Sequence, residues 1–377
     1  MTAGRGESNH AGERSERVNL IWDADPILFT VGGFPVGWYG VLFGLGFLLS
    51  QRVMYLVYRR EEKLVLDVLL LYLMAGCIIG ARITHCLFYD PAYYLSHPLS
   101  ILRVWEGGLA SHGAALGMIA ALYLFSRRHP DHQFLWLIDR IAIVALMTGA
   151  LVRVGNFING EIVGTPTHSG YGVVFVPQAR AAVLRGFPSV RELHVLRRED
   201  DRSALPGSIP VTVAIDMGLP GMAKELAFWQ LTRALLPAIQ EIAVVKGTFT
   251  GLTGAGSVPV LTPVAGGWRA EIPAWGIARH PVQLYEGLSA LLLAIGLFIV
   301  WWRRKAATPG GLLLGWCFIL LFTARFFLEF LKEDVTPIES GLFLKVGQLL
   351  SIPFVLLGIW MVRRARPPEA ALPHRPW

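Results

Sequence analysis

Phe134-Leu-Trp-Leu-Ile-Asp-Arg-Ile-Ala-Ile-Val-Ala-Leu-Met-Thr-Gly-Ala-Leu151 runs on into Val152-Arg-Val-Gly-Asn-Phe-Ile-Asn-Gly-Glu-Ile-Val-Gly164, and this stretch decides how the rest of the chain is read. The apolar run and its continuation are together long enough to cross a bilayer, which takes about 20 residues of helix. Near its far end stand Arg153, Asn156, Asn159 and Glu161, all within nine residues. Arg153 and Asn156 are three apart and share a helix face. Polar side chains at the end of a spanning helix are costly unless they face a protein interior or a wet cavity. The four are therefore expected to point inward, toward something anionic or hydrogen-bonding. For Arg153 alone a plainer role is also open, since an arginine near a membrane interface often extends its head to water.

Composition widens this to the whole chain. Of 377 residues, 54% are hydrophobic and 16% charged, with a mean hydropathy of +0.50. A soluble domain carries about 25% charged residues, so the expectation is an all-α polytopic membrane protein. Seven apolar runs can span about 30 Å: 37–57, 64–88, 107–126, 134–157, 281–302, 309–331 and 344–362. The net charge of +7 is gathered in short clusters, Tyr58-Arg-Arg-Glu-Glu-Lys63, Arg127-Arg-His-Pro-Asp-His132, Arg303-Arg-Lys305 and Arg363-Arg-Ala-Arg366. The alternate connections, 89–106 and 332–343, carry only Arg103 and Lys332. This is the lysine/arginine bias that sets topology, with the N-terminus outside and the C-terminus in the cytoplasm. No basic face with interleaved aromatics marks a nucleic-acid partner. Cys77, Cys86 and Cys317 lie in apolar runs without metal-ligand spacing and read as packing residues. Residues 1–20 are polar and lack a signal-peptide apolar region.

The expected organisation is a polar tail (1–20), a four-span half (21–164), an outer insertion (165–275), a three-span half (276–364) and a cytoplasmic tail (365–377). An outer connection of that length is expected to fold, with β-like stretches at Ile209–Ile215 and Gly256–Leu261 and an amphipathic stretch from Ala223 to Ile242. Gly76-Cys-Ile-Ile-Gly80 and Gly113-Ala-Ala-Leu-Gly117 suit close helix packing. Tyr39, beside Trp38, reads by itself as an interfacial aromatic.

More polar groups sit where a membrane helix would avoid them. Trp105-Glu-Gly-Gly-Leu-Ala-Ser-His-Gly113 puts His112 just inside the third run, where a lone histidine also serves as a helix–helix hydrogen-bonding residue. Arg279-His-Pro-Val-Gln-Leu-Tyr-Glu286 opens the fifth, with Gln283 and Glu286 on one face. Arg325 and Glu329 are four apart, which suits an internal ion pair, and Arg82 and His85 lie three apart in the second run. By the topology above, Arg153, Arg279 and His112 fall at one depth, in the outer leaflet. Guanidinium groups match phosphate oxygens bidentately, so this set suits a phospholipid headgroup. Nothing in the spacing asks for a metal.

Taken together, Arg153 to Gly164, Tyr39, Gly107-Gly-Leu-Ala-Ser-His-Gly113, Arg279 to Glu286, Arg325-Phe-Phe-Leu-Glu-Phe330 and Gly347-Gln-Leu-Leu-Ser-Ile-Pro353 resemble, in order, the signature blocks of the bacterial prolipoprotein diacylglyceryl transferases. The resemblance implies a multi-pass inner-membrane enzyme without a cofactor. Its partners would be phosphatidylglycerol, prelipoprotein signal peptides with a lipobox cysteine, and membrane lipids. It carries over Tyr39, His112, Arg153, Asn156, Asn159, Glu161, Gly164 and Arg279 as essential positions, with Gln283 and Glu286 beside them for the lipid. A thiol of pKa about 8.5 is mostly protonated at neutral pH, so a base such as His112 is expected to help, an arginine-centred arrangement staying open for the same end. Arg153 and Arg279 are expected to stabilise the departing phosphate. A lipid transferase with a different acceptor, or a lipid-binding or transport protein without catalysis, stays open at this stage.

Overall fold

The computed structural model describes residues 18–61, 66–103, 108, 110–169, 171–198, 207–253, 257–333 and 343–365. In chain order they form β1 (Val18–Trp22), β2 (Ile27–Val31), β3 (Phe34–Gly37), α1 (Trp38–Arg60), α2 (Leu66–Phe88), α3 (Pro91–Ser96), α4 (Ser111–Arg128) and α5 (Phe134–Asn159). There follow β4 (Tyr171–Phe175), α6 (Pro177–Gly186), β5 (Val190–Arg197), β6 (Ser208–Met217), α7 (Lys224–Gln230), α8 (Leu236–Gln240), α9 (Ala243–Lys246), β7 (Phe249–Thr250), β8 (Val260–Val264) and β9 (Gly267–Ile277). The chain ends in α10 (Val282–Arg304), α11 (Leu312–Leu328) and α12 (Val346–Arg364). Two compact units emerge: Met1–Tyr39, Gly155–Leu284 and Leu331–Glu333 form the first, and Gly40–Val154, Tyr285–Phe330 and Asp334–Trp377 the second.

Among the described residues six helices are long and apolar enough to cross a membrane: Trp38–Arg60, Asp67–Phe88, Phe134–Asn159, Val282–Ala307, Leu312–Leu331 and Val346–Arg364. The third of the seven expected runs is not among them. Its helix, α4, begins only at Ser111 and closes on Arg127 and Arg128, so serine, histidine and the arginine pair dilute its apolar stretch. Gly107 and Leu109 of this run, with Trp105 and Glu106 just before it, fall outside the described residues, as do most of the expected N- and C-terminal tails.

Glycines let the helices of the second unit approach closely. A Cβ on Gly76 would come within 2.5 Å of the Gly117 carbonyl oxygen, and Gly80 abuts Gly113 in the same way. The two small-residue patterns are thus the two sides of the α2–α4 contact. Gly315 and Gly358 serve α11 and α12 likewise. A fully buried ionic cluster ties four helices. Glu61, just after α1, accepts hydrogen bonds from Trp136 Nε1 (2.7 Å), Arg140 Nε and Nη2 (both 3.2 Å) and Trp301 Nε1 (2.5 Å). Next to it Asp139 accepts from the Gly311 and Leu314 amides, both at 2.8 Å, so a carboxylate from α5 supplies the cap that the N-terminus of α11 lacks. Many large apolar side chains remain exposed, Leu71 and Leu116 among them, as a hydrocarbon solvent allows.

The first unit corrects the all-α expectation. β5, β6, β9 and β7 make an antiparallel sheet, with β8 paired to the other end of β9. β9 alternates cleanly, burying Ala270, Ile272, Ala274 and Gly276 on one face, the period-two pattern of a half-buried strand. Val211, Val213 and Ile215 of β6 pack in one core with Leu231, Leu236 and Ile239. The amphipathic stretch expected from Ala223 to Ile242 is helical from Lys224 to Gln240, α7 passing into α8 through a π-helical turn at Leu231–Leu235. β1 lies parallel to β4, and the Trp22 ring packs at a tilt against Phe157, which meets Phe175 edge-on in turn. β2 and β3 form a hairpin whose turn, Gly32-Gly33, has both φ angles positive, as a type I′ turn requires.

On this sheet Arg269 donates to both carboxylate oxygens of Asp216, at 2.6 Å each. That hydrogen bonding, foremost, holds the Asp216 carboxyl below its ordinary value. A depressed carboxyl stabilises the fold above its unfolded pKa and loses that contribution as pH falls through the folded value. Asp216→Asn should therefore speed amide exchange in β6 and β9 at neutral pH. The gap from wild type should close only below about pH 4. The pair is partly exposed, so the effect should stay under about 1 kcal/mol.

Candidate active site

Sequence neighbours at the end of α5 close on themselves. Asn156 Nδ2 donates to Glu161 Oε2 at 2.9 Å and Asn159 Nδ2 to Glu161 Oε1 at 3.2 Å. Gln283 Nε2 donates to the Glu161 carbonyl at 2.5 Å, and the Glu161 amide to Asn156 O at 2.9 Å. One glutamate thus gathers three amide side chains at the point where the helix stops, and Ile162 takes a positive φ just beyond it. Tyr39 lies over this end of α5, because a Cβ on Gly155 would reach its ring at 2.9 Å.

Arg279 is buried, and its donors are directed at the backbone. Nη1 reaches Gly164 O at 2.9 Å and Glu333 Oε1 at 2.5 Å, while Nε reaches Gly247 O at 2.8 Å. Its own amide and carbonyl pair with Val173. Burial pushes the neighbouring His280 imidazole below its ordinary pKa. Gly164 is fixed from both sides, its amide donating to His280 O at 3.0 Å. A methyl there would meet Val282 Cγ2 at 2.6 Å and the His280 carbonyl at 2.7 Å. Gly164→Ala should accordingly cost about 1–3 kcal/mol, as overpacking does, and lower activity through Arg279. Thermal unfolding beside turnover checks both.

In the second unit Arg153 Nε forms an ion pair with Glu286 Oε2 at 2.9 Å, linking α5 to α10. Both residues line a cavity of about 380 Å³ with Ser289 and Arg325, and its remaining wall is apolar, from Ile138 and Leu146 to Leu314 and Phe322. Arg325 enters here as a site residue that its sequence spacing did not reveal. The expected Arg325–Glu329 ion pair is absent among the described residues. α11 ends at Leu328 and Glu329 starts a 3₁₀ turn, which breaks the four-residue helical spacing; the Glu329 carboxylate lies instead against Gly347. His112 sits in the first turn of α4 and is exposed. Glu333, partner to Arg279, is the other residue the sequence did not announce.

Of the expected residues, then, Asn156, Asn159, Glu161, Gly164, Gln283, Arg279 and Tyr39 belong to the first unit, and His112, Arg153 and Glu286 to the second. No group of three or more metal-ligating side chains occurs among the described residues.

Comparison with known proteins matches residues 26–364 to the family model described as prolipoprotein diacylglyceryl transferase. A phosphatidylglycerol--prolipoprotein diacylglyceryl transferase of Tolumonas auensis is 35% identical over 342 residues, covering 90% of this chain and 95% of the relative. The protein of that name from Cupriavidus pinatubonensis is 40% identical over 294 residues, 76% of this chain and 94% of its own. With Chloroherpeton thalassium the identity is 32% over 345 residues, 91% and 93% of the two chains. A match of this extent, with relatives more than 30% identical over some nine-tenths of both chains, makes the chain a member of the prolipoprotein diacylglyceryl transferase family.

Proposed function

We propose that this chain transfers the diacylglyceryl group of phosphatidylglycerol to the lipobox cysteine of a prelipoprotein, at the outer leaflet of a bacterial inner membrane. The observation that carries the reading is the cavity of the second unit. It is apolar along α5, α10 and α11 and bears Arg153, Glu286 and Arg325 among its lining, which is the amphiphilic character of a phospholipid. α4, sealed against α2 through glycines, makes the seventh crossing and leaves the N-terminus outside and the C-terminus in the cytoplasm, as the lysine/arginine bias asks.

In the reaction the cysteine sulfur attacks the phosphate-bearing carbon of the diacylglyceryl group. The carbon–sulfur bond forms, the carbon–oxygen bond breaks, and glycerol phosphate leaves with the electron pair. The thiol proton passes to a base, for which His112 is the candidate. Arg153 and Arg279 answer the charge gathering on the phosphate, where fixed donors are most effective. The asparagine–glutamate cluster and Gln283 hold the end of α5 in one arrangement. The nucleophile belongs to the substrate, so Cys77, Cys86 and Cys317 need no reactivity of their own.

The test is complementation of a strain depleted of its own transferase, with wild type and His112→Gln compared. Restored lipoprotein modification by wild type supports the reading. Failure by a stably inserted chain points to a different acceptor or to lipid binding alone. Turnover of His112→Gln near wild type would remove the histidine from the proton transfer.

A further inference from the structure

Arg82 of α2 is 4% exposed, and its guanidinium is directed at main-chain carbonyls. Nη2 donates to Ser100 O at 2.5 Å, Nε to Ile101 O at 2.8 Å and Nη1 to Gly108 O at 3.2 Å. The Tyr94 ring lies 5.1 Å from its Cζ. With Nε, Nη1 and Nη2 all donating to carbonyls, this guanidinium is poorly placed to bind phosphate, whereas the bonds of Arg279 run through Nε and Nη1 alone. Arg82 fastens two pieces of backbone to α2 instead, the short 3₁₀ helix Pro98–Leu102 and Gly108. Gly108 has a φ of +73°, and a Cβ on it would come within 2.7 Å of the His85 ring and 2.8 Å of Arg82 Nη1. Two residues on, the Ala110 amide donates to Ala81 O at 3.0 Å. α4 then begins at Ser111, with His112 in its first turn and Gly113 wedged against Gly80 and Thr84. The entry to α4 is therefore set from α2, by positions from Gly80 to His85.

We propose that Arg82 is a positioning residue for His112: it holds the backbone that leads into α4, and thereby the imidazole, without touching substrate. The proposal rests on the reading of His112 as the thiol base. A displacement of about 1 Å in a catalytic group can cost about 10²-fold in rate, so a strut of this kind has a large effect at a distance. Methionine at this position would keep the length and lose every donor; lysine would keep the charge and lose the fork.

The experiment uses the full chain in mixed micelles with phosphatidylglycerol and a lipobox peptide. It compares Arg82→Lys, Arg82→Met, His112→Asn and the double variants. Turnover should fall about 10- to 10²-fold in the Arg82 variants, with KM for the lipid within about twofold of wild type. In the His112→Asn background the Arg82 change should add no further loss. In parallel, the rate at which diethyl pyrocarbonate modifies His112, read by mass, should shift in the Arg82 variants. Arg82→Lys serves if Arg82→Met does not fold. Equal losses on both backgrounds, a raised KM with unchanged turnover, or an unaltered modification rate would each overturn the proposal. If His112→Asn turns over near normally while the modification rate still shifts, the base assignment falls and the positioning role stands.

Discussion

Arg153→Ala should lower turnover about 10²- to 10³-fold, the usual loss when a fixed donor to a developing anion is removed. The ground for this is placement. Arg153 is the most advanced residue of α5 in the cavity wall, and its side chain keeps 26% exposure beside Glu286 at 10%. It is held, yet still open to a ligand. Glu286 takes Nε and so orients the fork without using all of it. Arg153→Lys keeps the charge without the planar fork and should recover only part of the loss. Removing Arg153 also leaves Glu286 without its counter-charge, which mixes a folding effect into the reading. Arg153→Ala with Glu286→Gln separates the two: turnover should stay low while the unfolding temperature returns toward wild type. Initial rates of thioether formation, with thermal unfolding in the same detergent, make the measurement.

The second large effect lies away from the chemistry. Glu61→Ala should destabilise the helix bundle by about 3–5 kcal/mol, because it breaks a buried ion pair and leaves Arg140 with the more distant Asp139 carboxylate at 3.7 Å. Arg140 has no exposure, and Glu61 binds it together with two indole N–H groups. Glu61→Gln keeps an acceptor and should cost less. Replacing the pair together, Glu61→Leu with Arg140→Met, should regain most of the loss, since apolar substitutes for a buried ion pair are often neutral or better. Thermal unfolding across these variants tests it. A Glu61→Ala chain as stable as wild type would mean that the cluster holds nothing together.

The spanning helices were legible because hydropathy and length act over some twenty residues and need no partner. The polar blocks were legible because ionisable groups are rare in such helices and stand out one by one. What escaped was non-local or diluted. β9 hides its alternation in small residues and carries Arg269, Glu271 and Pro273 on the other positions, and its identity as a strand comes from pairing with β6. Parallel pairing of β1 with β4 joins segments some 150 residues apart, where no local pattern exists. Glu333 meets Arg279 across 54 positions, outside any helical spacing. The Arg325–Glu329 pair failed for the opposite reason: the spacing was right, but the helix ended one residue too soon.

The most direct test of the central claim follows both products of one reaction. Purified protein, phosphatidylglycerol labelled in its headgroup and a peptide with a lipobox cysteine should yield a diacylglyceryl thioether on that cysteine and labelled glycerol phosphate in equal amounts. A folded, lipid-loaded chain that forms neither, or that releases glycerol phosphate while the cysteine keeps its mass, would contradict the account.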